Sequence, residues 1–337
     1  MLLSTTAGGV YYHRDDSPRF DGYLQPEHSS YDPLMNQSST RQLAQSGGVY
    51  FGALNFNATF FSISDRTYTL PNGVNYTSEV GTLGLGDQSH PINTSSILEQ
   101  FKEAERIDSK TFGFHLGSSS LDLAGSLVLG GYDRSRALGT VGKFATDFAF
   151  LMDVYLGTET GYSPFNISHN ISVYQGLDGD KDAQHRTRKL KGPKRAAVAE
   201  LDVTFPYIFL PIGTCEAAAQ HLPVVWNASI GLYLWDQNDP RYKSIVSSPA
   251  YLGFVLADRD AMNITIKVPF QLLNLTLLPP ITETPTPYFP CKPSKSVLGA
   301  FKLGRAFLQA TFSKSSLPQT PPPPPPRNDY YRAPYSI

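Results

Sequence analysis

Residues 199–211 read AELDVTFPYIFLP, and residues 300–309 read AFKLGRAFLQ. Each opens as an apolar strand and breaks at a short polar or glycine step. A similar pair opens the chain: LLSTT at 2–6, followed by TLGLG at 82–86. Each half thus carries an apolar strand ending in a small polar triplet, and a Leu-Gly element much further on. This internal echo points to two related halves. Between them lie short strand-like runs at Gly48–Leu54, Thr59–Ser64, Gly125–Leu129, Phe205–Leu210 and Ile264–Val268. Runs of this length, punctuated by turn residues, read as an all-β chain. The helical signal is confined to two short places. Ser96 with Glu99 three residues later forms a capping box before Phe101, and Cys215–Leu222 is an alanine-rich run.

The chain has 337 residues, enough for two domains. Its 27 glycines and 27 prolines favour turns, while 12% aromatic residues argue against general disorder. A net charge of −1 provides no bulk attraction for nucleic acid or an anionic membrane. Two cysteines exclude a disulfide-dense scaffold and a cysteine-rich zinc module. No apolar stretch is long enough to span a bilayer. Nine of the 13 asparagines (Asn36, Asn57, Asn75, Asn93, Asn166, Asn170, Asn227, Asn263 and Asn274) start an N-x-[ST] triplet. Such density implies N-glycans and a secreted or cell-surface protein. The opening MLLSTTAGG lacks the basic region and long apolar run of a signal peptide, so the true N-terminus is expected upstream.

Further segments carry a resemblance. Tyr31-Asp32-Pro33 precedes Ser38-Ser39-Thr40; Gly81–Gly86 precedes Ser96–Gln100 and Gly125–Asp133; Asp202–Pro211 precedes Tyr288-Phe289-Pro290 and Leu303–Gln309. In this order the chain resembles the pepsin-type aspartic peptidases, specifically the fungal secreted pepsin-like proteins, over most of residues 1–312. The resemblance implies a bilobal double β-barrel with few short helices. Its lobes would span 1–142 and 143–312, with a charged insertion at 176–198. Residues 313–337, with six prolines at 321–326, would form a disordered tail. A monomer holding a peptide or protein in the interlobe cleft is expected, without a cofactor.

In that family each lobe supplies one aspartate from an Asp-Thr-Gly triplet. The chemistry needs two carboxylates about 3 Å apart sharing one proton, one activating water and the other protonating the scissile carbonyl. By resemblance Asp202 holds the second position, in an Asp-Val-Thr triplet that has lost the bracing hydroxyl and the glycine. Ser4 falls on the first. Asp16 is the rival, but polar His13-Arg14-Asp15 precedes it where a buried strand is required. A serine cannot share the proton, so the dyad reads as broken. The segment after Thr40 reads as short for a substrate-covering hairpin, with Tyr50 as its aromatic tip. The first and last strands of the family pattern are expected to be missing beyond Met1 and Phe312. Cys215 and Cys291 match the family's second-lobe disulfide. The expected function is a peptidase homologue of little or no activity. The alternatives are an active acid endopeptidase and a non-catalytic binder of peptides or wall polymers.

Other motifs carry less. Asp178, Asp180 and Asp182 alternate as in a calcium loop, but Ala183 and Lys189 stand where glycine and glutamate are needed, and a solvated acidic loop is expected. The seven histidines show no metal-ligand spacing, and no G-x-S-x-G elbow exists. The six basic residues between Arg186 and Arg195 read as a solvated surface insertion, with Lys194-Arg195 open to nicking.

Overall fold

The computed structural model describes the backbone of the strands and a few other residues between 2 and 85. It then describes 97–316, apart from 138–140, 143, 145–147, 166–169, 178, 204, 258–261, 280 and 297–298. Side chains are described almost entirely from Ile97 onward.

Strands dominate and the helices are few and short, which is the all-β architecture expected. The first-half sheet has the order Leu2–Ser4, Thr82–Gly84, Val10–His13, Leu54–Ser64, Arg41–Phe51. Its first three pairings run parallel, antiparallel and parallel. The largest sheet repeats this scheme. Ala197–Leu201 pairs in parallel with Ala300–Leu303, which pairs antiparallel with Ile208–Pro211, which pairs in parallel with Cys291–Ser294. The echo in the sequence is therefore an echo in pairing: each Leu-Gly element lies beside the apolar strand of its own half.

Burial explains the character of these strands. Ile208–Pro211 and Ala300–Leu303 are buried at every position, so their runs lack polar alternation. The outermost strand, Asn263–Pro269, exposes Asn263, Thr265, Lys267 and Pro269 and turns Val268 inward. One buried apolar cluster joins Ile97, Phe101 and Phe112 to Leu151, Phe254, Phe301 and Phe307. Helix Ile97–Glu103 fits the expected position, packing Ile97, Leu98 and Phe101 inward. Helix Ile212–Ala219 begins three residues ahead of the alanine-rich run, straight after Pro211, and buries Cys215.

Three expectations are corrected. The segment after Thr40 is a long hairpin of two 11-residue strands, Arg41–Phe51 and Leu54–Ser64. Gly47 and Gly48 both keep the ladder, opposite Ala58 and Asn57. The run Gly48–Leu54 is accordingly the corner of the hairpin, with Phe51 opposite Leu54. At the other end, Phe312–Ser316 forms a strand antiparallel to Thr111–His115, so the tail starts later than 313. The polar Ser-Lys-Ser-Ser sequence conceals this because an exposed edge strand needs few apolar residues. Lys314 covers the Tyr132 ring, its Nζ 4.1 Å from the centroid. Gly113 makes room: a Cβ there would stand 2.7 Å from Tyr132 Cβ and 3.1 Å from Phe312.

The third correction concerns the charged insertion. Lys181–Lys189 is a helix, and Asp180 is its N-cap rather than part of a solvated loop. Asp180 Oδ1 accepts from Ala183 N at 3.0 Å and Oδ2 from Ser296 N at 2.6 Å. Ala196–Val198, at the end of the insertion as read from sequence, are buried, and Ala197 and Val198 open the central strand Ala197–Leu201.

Candidate functional site

Asp202 is the first residue past the strand Ala197–Leu201. Its backbone N–H donates to Leu303 O at 3.1 Å, prolonging the ladder by one step. Since Leu201 faces Leu303, Asp202 stands level with Gly304. Gly304 is obligatory there, because a Cβ would lie 2.2 Å from Tyr207 O and 2.4 Å from Phe205 O. The backbone of 205–207 crosses directly against it, accepting from Gly304 N at 3.0 Å and Arg305 N at 2.8 Å. Arg305 Nη1 donates to Val203 O at 2.9 Å and pins the residue after Asp202. In the first half Leu3 faces Leu83 and Ser4 faces Gly84. Ser4 and Asp202 thus share one register position, each level with the glycine of a Leu-Gly element. The Ser4 side chain lies outside the described residues, as does Thr204.

Residues two apart on a strand share a face, so Glu200 and Asp202 point the same way. Lys302, which faces Glu200 across the ladder, lies between them. Its Nζ donates to Glu200 Oε2 at 2.6 Å and stands 3.7 Å from Asp202 Oδ2. Arg186, from the charged helix, reaches Glu200 Oε1 at 2.5 Å. The Lys302 side chain is 9% exposed and that of Asp202 19%, so the group is largely withdrawn from water. Burial alone would raise the Glu200 carboxyl. Lys302 and Arg186 together outweigh it and hold the carboxyl below the ordinary glutamate range.

Sequence reasoning missed Lys302, Glu200 and Arg186 as members of the site. The signal was present in two strands whose other residues are apolar, with Glu200 in one and Lys302 in the other. Only the register shows that these charges face each other.

The remaining candidates are placed as follows. Tyr50 faces Asn55, one rung from the end of the hairpin, and its side chain lies outside the described residues. Cys215 and Cys291 form a disulfide with Cα atoms 5.7 Å apart, joining helix Ile212–Ala219 to strand Cys291–Ser294 as the resemblance implied. Asn170 and Asn263 are exposed. Asn227 and Asn274 are half-buried: Asn227 Oδ1 accepts from Ser229 N at 3.0 Å, and Asn274 Oδ1 from the Tyr242 hydroxyl at 3.2 Å. Asn36, Asn57 and Asn75 sit on strands described by backbone alone, and Asn93 and Asn166 lie outside the described residues. Among the described residues no group of three His, Cys, Asp or Glu is arranged to hold a metal ion. No described helix is long and apolar enough to cross a membrane.

Neither a family model nor a curated protein matches the chain. Among solved structures it is similar to the aspartic proteinase from Irpex lacteus. That similarity covers 94% of this chain and 86% of the other, at 12% identity and a TM-score of 0.45.

Proposed function

We propose that the chain is a secreted or cell-surface pepsin-like protein whose aspartic peptidase chemistry is disabled and whose cleft, between lobes 1–142 and 143–312, binds peptides. The observation that carries this reading is the shared register of Ser4, level with Gly84, and Asp202, level with Gly304. Peptide hydrolysis by this route needs a carboxylate from each half, one charged and one protonated. Serine at the first position can neither activate water as a base nor hold the shared proton. Lys302 supports the reading from the other side, because the neighbour of Asp202 is an ammonium 3.7 Å away.

The disulfide and the exposed sequons Asn170 and Asn263 support an oxidising, glycosylating compartment. The test is cleavage of a mixed peptide library at acidic pH, read by mass spectrometry alongside equilibrium binding of the same peptides. Binding without pepstatin-sensitive cleavage is the expected result. Turnover that Asp202→Asn abolishes overturns the proposal in favour of an active endopeptidase.

A further inference from the structure

The basic run that ends the charged helix and continues past it has no part in that site beyond Arg186. Arg188, Lys189, Lys191, Lys194 and Arg195 are all exposed. Among the described residues, Arg186 alone of the run forms an ion pair, with Glu200. Arg188 leans on the ring nitrogen of His185 at 3.4 Å, and no carboxylate neutralises the other four among the described residues. Five uncompensated cations within eight residues stand out on a chain whose net charge is −1.

The ridge is held rigidly. Asp180 ties the start of the helix to Ser296, and Ala183 and Thr187 are buried beneath it. Thr187 Oγ1 donates to Ala196 O at 3.1 Å, and the Tyr174 hydroxyl donates to Arg195 O at 2.7 Å. Gly192 N donates to Thr187 O at 2.8 Å and closes the turn. The same anchors fix the Lys194-Arg195 backbone against the burial of Ala196, so the dibasic pair is not the loose strand a protease needs.

Two features separate the ridge from an ordinary solvated helix end. Cations in the last turn complement the helix dipole, which accounts for Arg188 and Lys189 but not for Lys191, Lys194 and Arg195 beyond it. Lys191 also has a φ of 58°, the left-handed position just past a helix end that glycine fills at least cost. A lysine there keeps a charge at the expense of backbone ease.

We propose that this ridge, Arg188–Arg195, binds an acidic polysaccharide bearing uronate carboxylates. Residues 181–195 contain no Phe, Tyr or Trp on which bases could stack, and the single imidazole, His185, is engaged with Arg188, which disfavours single-stranded nucleic acid. Leu190 packs inward with Phe150, so the ridge has no apolar wedge for a bilayer. The ridge is a line of solvated cations suited to a hydrated polymer of solvated anions, read by charge and spacing alone. The disulfide and the sequons suit a compartment in which such polymers occur.

The test is titration of the full chain with polygalacturonate at about 50 mM and about 200 mM salt. Saturable binding is expected at the lower salt, weakened on the order of tenfold at the higher. The variant Lys189→Gln with Lys191→Gly and Lys194→Gln removes three charges and relieves the left-handed strain at 191. Its thermal stability should hold or rise while its affinity falls on the order of tenfold, a pairing that a misfolded variant cannot give. Absence of binding by the parent, undiminished binding by the variant, or tighter binding to single-stranded DNA or phosphatidylserine vesicles overturns the proposal.

Discussion

Lys302 and Asp202 lie 3.7 Å apart, with the lysine simultaneously hydrogen-bonded to Glu200 at 2.6 Å. The two carboxylates belong to one strand and the ammonium to its parallel neighbour, so the arrangement depends on the register of two strands about 100 residues apart in sequence. Its charges are mutually necessary. Glu200 holds both cations at once, Lys302 and Arg186, at a depth where water is scarce.

Lys302→Met should therefore cost on the order of 1–3 kcal/mol of folding stability, because it leaves Glu200 with Arg186 and removes the ammonium beside Asp202. Chemical denaturation measures the loss. Glu200→Gln combined with Lys302→Met should recover part of it, since the buried carboxylate is then neutral while Arg186, its side chain 28% exposed, keeps access to water. A double variant as unstable as the single one would show that the lysine acts through something other than these carboxylates.

Acid should weaken the fold through Glu200. Its carboxyl titrates below the ordinary value of 4.5 in the folded protein, so its contribution is fully present above that value. The contribution drains away as pH falls through the lower, folded-state value. Asp180 is depressed as well: its backbone hydrogen bonds from Ala183 and Ser296 outweigh the opposing effect of burial, so it adds to the same loss. Melting temperatures followed from neutral pH to about pH 3 should decline most steeply below about pH 4.5. In Glu200→Gln that acid limb should be shallower, from a lower starting stability.

The Cys215–Cys291 bridge closes a loop with a sequence separation of 76. On the chain-entropy model it contributes up to about 4.5 kcal/mol. Paired replacement by serine should lower the denaturation midpoint accordingly, with little change in secondary structure. Unchanged stability after reduction would assign the bridge no structural weight.

Gly304→Ala tests the crossing at the base of the site. The added methyl would meet the carbonyl oxygens of Tyr207 and Phe205 at 2.2 and 2.4 Å, and both belong to a backbone fixed by hydrogen bonds. Loss of soluble, folded protein is the expected outcome, read by circular dichroism and gel filtration.

Much of the architecture was legible because it rests on local pattern. The Leu-Gly elements and the buried run at Ile208–Pro211 each carry their signal in a few adjacent residues, whereas the cysteine pair followed from the family resemblance. The features missed depend on partners far along the chain. Ser313–Ser316 is polar and looks like tail until the open edge of Thr111–His115 is known. The helix Lys181–Lys189 is so charged that it reads as solvent-borne, although two of its side chains, Ala183 and Thr187, face the core. Its cap was readable, since an aspartate just before a helix is a common start signal, but the alternating aspartates around Asp180 read as a solvated acidic loop instead. Lys302 was the hardest of all, because a lone lysine in a strand looks like surface until its neighbour across the ladder is named.

The pairing of Phe312–Ser316 with Thr111–His115 also governs the order in which the chain can be completed on the ribosome. One edge of the Thr111–His115 strand finds its partner only after about 200 further residues have been made. Until then the nascent chain presents an open row of backbone donors and acceptors, the kind of edge on which neighbouring chains aggregate. Pairing across so long a separation is a non-local step, the kind that slows the closing of a sheet.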